Sequence, residues 1–250
     1  MGLTLLTGST GFIGSNLKEL LPPMLCPTHE RLDLTDKDRT RAYLEVNKPT
    51  SIIHCASNDS DDCLLDNLNM FFNLAESKIP MITFCTGLEV ENRPGKSGEY
   101  VASKRAIREI SMLKYNHILV IRLWGCFGKY EKPIRFFADN FMRVKKGLPI
   151  LVRENRLFSY VYVKDLAKII AGLKISSRFI NVVGYTYILA EYGMIIKDIT
   201  DSPHEVIIKE KLYEYPYAGK GDVDFKYTPL EEAIKEYWND FNNNSVIQRA

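Results

Sequence analysis

Short runs of apolar positions alternate, along the first half of the chain, with longer stretches in which apolar residues recur every three or four positions. LTLLT (3–7) precedes FIGSNLKELL, SIIHCA (51–56) precedes CLLDNLNMFFNLAESK, MITFCT (81–86) precedes YVASKRAIREISMLKY, and ILVIRL (118–123) closes the series. Continuously apolar runs suit strands covered on both faces, and a period near 3.6 suits helices lying on such a sheet. The alternation predicts βαβ units and a doubly wound parallel α/β sheet. Between the first helix and SIIHCA the pattern weakens to one strand candidate, MLCPT (24–28), then LDLTD and a polar helical segment, DKDRTRAYLEVNK (36–48).

After about residue 128 the elements shorten. IRFFADNFMRVKKG (134–147) and KDLAKIIAGLK read as helices, and PILV, RLFSYVYV, FINVV (179–183) and EVIIK (205–209) as strands. PLEEAIKEYWNDF (229–241) reads as a closing helix. The expected division is one domain over residues 1–128 and a small C-terminal α/β lobe over 129–250, with about 179–185 returning to the first sheet. A length of 250 residues allows one sizeable core with a smaller lobe attached.

Composition narrows the function. Lys and Arg number 33 against 31 Asp and Glu, with no basic stripe, which disfavours nucleic acid and fits a small-molecule partner. The cysteines Cys26, Cys55, Cys63, Cys85 and Cys126 lack CxxC spacing, so neither a disulfide framework nor a metal site is expected. No basic leader and no apolar run of ~18 residues occurs, so a soluble cytoplasmic protein without membrane association is expected.

The stretch TGSTGFIG (7–14) joins the first strand to the first helix. In that context Gly8 permits a tight turn, Gly11 lets backbone N–H groups approach a pyrophosphate, and Gly14 lets the helix lie close on the sheet. With Thr10, Phe12 and Ile13 these glycines form the expected cofactor-binding turn of a Rossmann-type dinucleotide-binding domain. A second signal is EYVASK (99–104): Tyr100 and Lys104, four apart, share a helix face. An ammonium beside a phenol stabilises phenolate and draws the tyrosine pKa down from ~10, which makes it a usable acid or base.

Together with FCTG (84–87), these motifs resemble the extended short-chain dehydrogenase/reductase superfamily, the NAD(P)-dependent sugar-nucleotide epimerase, dehydratase and reductase enzymes. IIHCAS resembles the family's cofactor-lining strand end, DNLNMFFNLAE its NxxGTxNLLE helix with Asn67 and Asn73 in register, RLWGCFG its RxxNxYG segment, and FSYVYVKDLAKII its RDFVYVDDVAxAI run. The resemblance implies a Rossmann domain with a nicotinamide cofactor and a C-terminal substrate-binding lobe. It implies that Tyr100 exchanges a proton with a sugar oxygen, Lys104 holds the cofactor ribose and tunes Tyr100, and Thr86 orients the same substrate oxygen. Cys55, Ala56 and Ser57 would line the cofactor, and Asp33 and Leu34 would meet the adenine. In THER (28–31), His29 and Arg31 are available for a 2′-phosphate and Glu30 for a ribose; the charge favours NADP, with NAD open.

The substrate side departs from the pattern. Cys85 stands where relatives usually carry a second Ser or Thr, Gly125 replaces the asparagine of RxxNxYG, and Phe158 falls where a diphosphate-clamping arginine is expected. Arg156, two residues earlier on the same strand face, is available instead. Thr86, Gly87, Tyr100, Gly125 and Arg156 are the expected substrate contacts. Arg122 is assigned a structural role, Asp165 a helix cap, and the late tyrosines (Tyr185, Tyr187, Tyr192, Tyr213, Tyr215, Tyr217) either lobe packing or base stacking. His54, His117 and His204 are expected to pack rather than bind metal.

The function implied is NAD(P)H-dependent reduction of a nucleotide-linked 4-keto-6-deoxy sugar for surface-polysaccharide precursors. A tightly held NAD and C4 epimerisation form the alternative, and a cofactor-binding regulatory protein the non-enzyme alternative. Dehydration is disfavoured, because Gly87 and Leu88 follow Thr86 where dehydratases carry an acidic pair, and Glu89 comes one place late. A homodimer is expected through the two helices after SIIHCA and MITFCT, with Met70, Phe71 and Ile107 as its apolar surface.

Overall fold

The structure is a computed structural model that describes residues 2–90, 98–176, 178–209 and 216–243. Its centre is a parallel sheet of β1 (Thr4–Thr7), β2 (Ser51–His54), β3 (Met81–Thr86), β4 (Ile118–Leu123) and β8 (Arg178–Val182), in the order β1-β2-β3-β4-β8. Side chains alternate across it: Leu6, Ile53, Ile82 and Leu119 enter one buried cluster, and Leu5, Ile52, Met81 and Val120 the other. α1 (Phe12–Leu20) and α6 (Val163–Gly172) pack together on the first face. α2 (Lys37–Asn47), α3 (Leu64–Ala75) and α4 (Glu99–Lys114) pack side by side on the second. Both faces are dry, as the continuously apolar strand runs require.

MLCPT contributes one bridge rather than a strand. Leu25 pairs with Leu5, donating to the Thr4 carbonyl (2.9 Å) and accepting from the Leu6 N–H (2.8 Å). Pro22, Pro23 and Pro27 flank it, and residues without an N–H cannot extend the ladder. The chain therefore reaches α2 directly, capped by Asp36, whose side chain accepts from the Arg39 N–H.

A second, three-stranded sheet is formed by β5 (Gly125–Phe127), β7 (Leu157–Tyr162) and β9 (Tyr185–Ile188), in the order β5-β7-β9. β6 (Ile150–Val152) pairs separately with β10 (Val206–Ile208). α5 (Phe136–Lys145), α7 (Leu189–Ile199) and α8 (Leu230–Asn243) complete the lobe; α7 has no counterpart among the helices expected from the sequence. One residue, Trp124, separates β4 in the first sheet from β5 in the second, so the sheets divide inside RLWGCFG. After β7 the chain returns through α6 to β8, which pairs with β4.

The lobe shares its core with the first face of the large sheet. Phe127 stacks on Phe137 (4.4 Å) and Tyr162 (5.3 Å) and edges onto Tyr160, while Tyr237 and Phe241 of α8 close the cluster. Tyr185 and Tyr192 pack in this core, their hydroxyls donating to the carbonyls of Thr228 and Phe158; Tyr213 and Tyr215 lie outside the described residues. Asp165 is not the helix cap expected of it. It lies fully buried in the first turn of α6 and accepts from the N–H and hydroxyl of Thr228 (2.8 Å each), anchoring the segment before α8. The expected dimer surface also needs correction: Phe71 and Ile107 are core residues and Met70 faces a cavity, so the apolar side chains exposed on α3 and α4 are Leu65, Met112 and Leu113.

Candidate functional site

In a parallel sheet, ligands gather beyond the carboxyl ends of the strands, and here both cavities described below open at those ends. Gly8 has a φ of +67° and lies so close to Cys55 and Ala56 that a Cβ would strike their backbone. A Cβ on Gly14 would strike the Gly8 carbonyl. Gly11 differs: a Cβ there would meet only the Gly8 carbonyl oxygen, at 3.4 Å, so chain packing does not exclude a side chain. Gly11 is also the N-cap of α1, with no capping side chain and no acid in the first turn. N–H groups and helix dipole are thus turned toward an anion beside Gly11.

Beyond this turn lies a cavity of about 150 Å³ lined in part by Gly8, Thr10, Thr28, His29, Leu34, Ala56 and Met70. Leu34 and Ala56 meet the sequence expectation there, and His29 faces the same space. Phe12 and Ile13 start α1 and pack partly buried against the core, and Arg31 turns toward Tyr43 of α2 instead of the cavity. Asp33 is occupied locally: its Oδ1 accepts from the N–H (2.9 Å) and hydroxyl (2.7 Å) of Thr35, bonds that hold its carboxyl below the usual range. Two amides fix the rim. Asn73 Nδ2 donates to the carbonyl of Leu34 (2.8 Å), and Asn67 exchanges hydrogen bonds with the backbone of Asn58 (2.8 and 2.9 Å) while its Nδ2 donates to Ser103 on α4. Ser57 rests on the same Asn67. The turn, the uncapped helix and this cavity fit a dinucleotide.

Lys104 and Tyr100 sit on one face of α4, with Nζ 5.6 Å from the ring centroid. Lys104 is buried near Cys55 and Cys85, at the ends of β2 and β3, and burial draws its pKa down. Burial pushes the Tyr100 phenol up, opposed chiefly by the positive charge of Arg135. In the protein alone, desolvation outweighs the cations at the phenol. Burial likewise raises the Cys55 thiol to about 12, and drops His54 to about 3, a neutral imidazole bonded to the Thr7 hydroxyl (2.8 Å). Among the described residues no cluster of acids, histidines and cysteines could hold a metal.

Thr86 ends β3. Its Oγ1 accepts from the Leu88 N–H (3.2 Å) and lies 3.3 Å from the hydroxyl of Tyr217, a residue the sequence reading left between packing and stacking. Beside it opens the second cavity, of about 390 Å³, bounded among others by Trp124, Gly125, Arg135, Arg153, Arg156, Phe158 and Tyr217. Gly125 is present because Tyr160 and Phe158, stacked at 4.4 Å, fill the space its Cβ would need. Arg156 is buried, paired with Glu154 at 3.6 Å and lying 5.4 Å from the rings of Phe158 and Tyr217. Arg135 also lies 5.8 Å from the ring of Phe12 at the start of α1. Nothing in its sequence neighbourhood marked it, because that contact joins segments far apart in the chain.

Glu89, the late acid, is buried and held by Arg108 (2.7 Å) and Arg122 (3.4 Å), away from the second cavity; Arg122 also stacks on Phe179 (4.6 Å). Glu131, at that cavity's wall, is a buried carboxyl facing Arg135, the Tyr237 hydroxyl and the Ala138 N–H, none close enough to complete a hydrogen bond. Burial pushes it up to about 8.

The parallel sheet, the glycine turn at the end of β1 and the helices on both faces make a Rossmann-type α/β fold. Residues 4–91 match the model of the NAD dependent epimerase/dehydratase family. A GDP-L-fucose synthetase from Naegleria fowleri bound to NADP superposes with a TM-score of 0.84 at 17% identity, covering 97% of this chain and 93% of that one. A dTDP-4-dehydrorhamnose reductase from Bacillus anthracis in complex with NADP superposes at 0.81 and 18% identity, covering 96% and 98%. A dTDP-glucose 4,6-dehydratase from the same organism, in complex with NAD, superposes at 0.80 and 14% identity, covering 99% and 98%. No curated protein matches the chain in sequence. No helix among the described residues is long and apolar enough to cross a membrane.

Two outcomes follow from this geometry. Gly11→Ala leaves the melting temperature of the cofactor-free protein within a few degrees of wild type and weakens NADPH binding at least about tenfold in a fluorescence titration, because its methyl intrudes only on the anion's side of the turn. Glu131 titrates at 4.5 when unfolded and about 8 when folded; between these values the native state keeps a proton that the unfolded chain has released, so stability falls as pH rises. Glu131→Gln removes that loss, and in urea unfolding it gains stability over wild type on going from about pH 5 to about pH 8.

Proposed function

We propose that the protein is an NAD(P)H-dependent reductase of a nucleotide-linked 4-keto-6-deoxy sugar, of the kind made for surface polysaccharides. The observation that carries this reading is the placement of Glu89. A dehydratase needs an acid beside the catalytic hydroxyl to remove a proton from the sugar, and here that acid is buried in an arginine pair. The second cavity near Thr86 is lined by phenols and arginines, with Glu154 paired to Arg156 and Glu131 pushed toward its neutral form, which suits proton donation to a ketone rather than abstraction from carbon.

The glycine turn from Gly8 to Gly14 would hold a nicotinamide cofactor, which would supply the hydride. Tyr100 gives its proton to the oxygen as charge develops there, and Lys104 beneath the same helix face holds the cofactor ribose. Thr86 presents its hydroxyl to that oxygen, and Arg135 stabilises the phenolate left on Tyr100. Arg156, with Arg153 beside it, takes the diphosphate that the sequence pattern would have assigned to an arginine at Phe158. His29 at the first cavity's edge favours NADP over NAD. The similar GDP-L-fucose synthetase and dTDP-4-dehydrorhamnose reductase, each carrying NADP, support the same substrate class.

The test is a panel of dTDP-, CDP- and GDP-linked 4-keto-6-deoxy sugars incubated with NADPH while absorbance of the reduced nicotinamide is followed. At least one is expected to oxidise NADPH stoichiometrically, and Tyr100→Phe to lower kcat about 10²–10⁴-fold, the range for losing a positioned general acid. Wild-type protein that oxidises no NADPH with any member, or Tyr100→Phe with undiminished turnover, overturns the reading.

A further inference from the structure

The hydroxyl of Tyr217 lies 3.3 Å from that of Thr86, 131 residues away in the chain, and none of the motifs accounts for it. Its ring is placed independently of that hydroxyl. The Tyr217 N–H donates to the Leu157 carbonyl and its carbonyl accepts from the Ser159 N–H (2.9 Å each), which docks the segment on β7 as an extra bridge. The Gly219 N–H donates to the Ser159 hydroxyl (3.1 Å). Gly87 and Gly219 lie against opposite ends of the Trp124 indole, where a Cβ on either would strike it. The ring itself lies 4.6 Å from Phe158 and 5.4 Å from the Arg156 guanidinium. Backbone, glycines and stacking thus deliver one phenolic hydroxyl, on a 5% exposed residue, to the catalytic-loop threonine.

A threonine hydroxyl has one hydrogen to donate and two lone pairs to accept with. One lone pair of Thr86 takes the Leu88 N–H. We propose that Tyr217 is a positioning residue that donates its hydroxyl proton to the second, so that the single hydrogen of Thr86 points at the substrate oxygen. This inference rests on the reductase reading given above. With both lone pairs filled, Thr86 can only donate, which is what a ketone oxygen gaining negative charge requires. The reverse polarity, Thr86 donating to Tyr217, would leave an acceptor facing the cavity and would suit an alcohol. In this direction the bond matches Thr86 to the carbonyl form of the substrate. Because the oxygen accepts more strongly as it becomes an alkoxide, the effect belongs to the transition state rather than to binding.

The experiment is a double-mutant cycle on full-length protein with NADPH and the panel member that wild type reduces, comparing Tyr217→Phe, Thr86→Val and the double variant. Tyr217→Phe keeps the ring and removes only the hydroxyl, so its melting temperature stays within a few degrees of wild type. It is expected to lower kcat about tenfold, the size of one hydrogen bond, with KM for the sugar changed less than about twofold. Thr86→Val lowers kcat further, and the double variant equals Thr86→Val, since without the threonine there is no hydroxyl to aim. A Tyr217→Phe kcat within about twofold of wild type, a loss confined to KM, or losses that multiply in the double variant overturn the role of Tyr217 while leaving the reductase reading intact. Wild-type protein that reduces no member of the panel overturns both.

Discussion

The indole of Trp124 is the contact on which the rest of the site depends. It is the single residue between the last strand before the lobe and the first strand of the lobe's sheet, and it lies between Gly87, just past Thr86, and Gly219, just past Tyr217. Three segments distant in sequence therefore have their relative positions set by one rigid ring, with glycine at both contacts because no side chain fits. The loop after β3, the wall of the larger cavity and the segment that carries Tyr217 are thus packed against one another through a single side chain. Rigid placement of this kind is what a site needs if its hydrogen bonds are to be formed before charge develops.

Electrostatics in the site follow from burial more than from pairing. Tyr100 and Lys104 are both pushed toward their neutral forms by desolvation, which raises one pKa and lowers the other. The charge that opposes this at the phenol is Arg135, delivered by the segment leading into α5. A carboxyl that would compete for these cations, Glu89, is occupied by Arg108 of α4 and Arg122 of β4, and the second buried carboxyl, Glu131, is held protonated toward neutral pH. With Glu154 paired to Arg156, the cavity's remaining polar lining is mainly arginine and phenol.

Much of the first sheet was legible because local pattern and tertiary role coincide there. Strands buried on both faces are apolar throughout, a glycine turn needs its glycines wherever it occurs, and Tyr100 and Lys104 are brought together by helical spacing alone. MLCPT failed as a strand because flanking prolines withdraw the N–H groups a ladder needs. Phe71 and Ile107 failed as a surface because helices packed side by side bury faces that a single helix pattern leaves unassigned. Asp165 looked like a cap from its place before an apolar helix, but its partner is Thr228, far along the chain. Arg135 and Tyr217 could not be found from sequence, since Arg135 reaches the larger cavity and Tyr217 reaches Thr86 only when segments distant in the chain come together.

The central claim is that hydride passes from a nicotinamide to a keto carbon held between Thr86 and Tyr100, with the proton coming from Tyr100. NADPH deuterated on the nicotinamide carbon that donates, incubated with a nucleotide 4-keto-6-deoxy sugar, tests it directly by mass and NMR analysis of the recovered sugar. The account predicts one deuterium on the new carbinol carbon for each NADPH oxidised. A sugar converted with no label and no net consumption of cofactor would contradict it and assign the site to epimerisation.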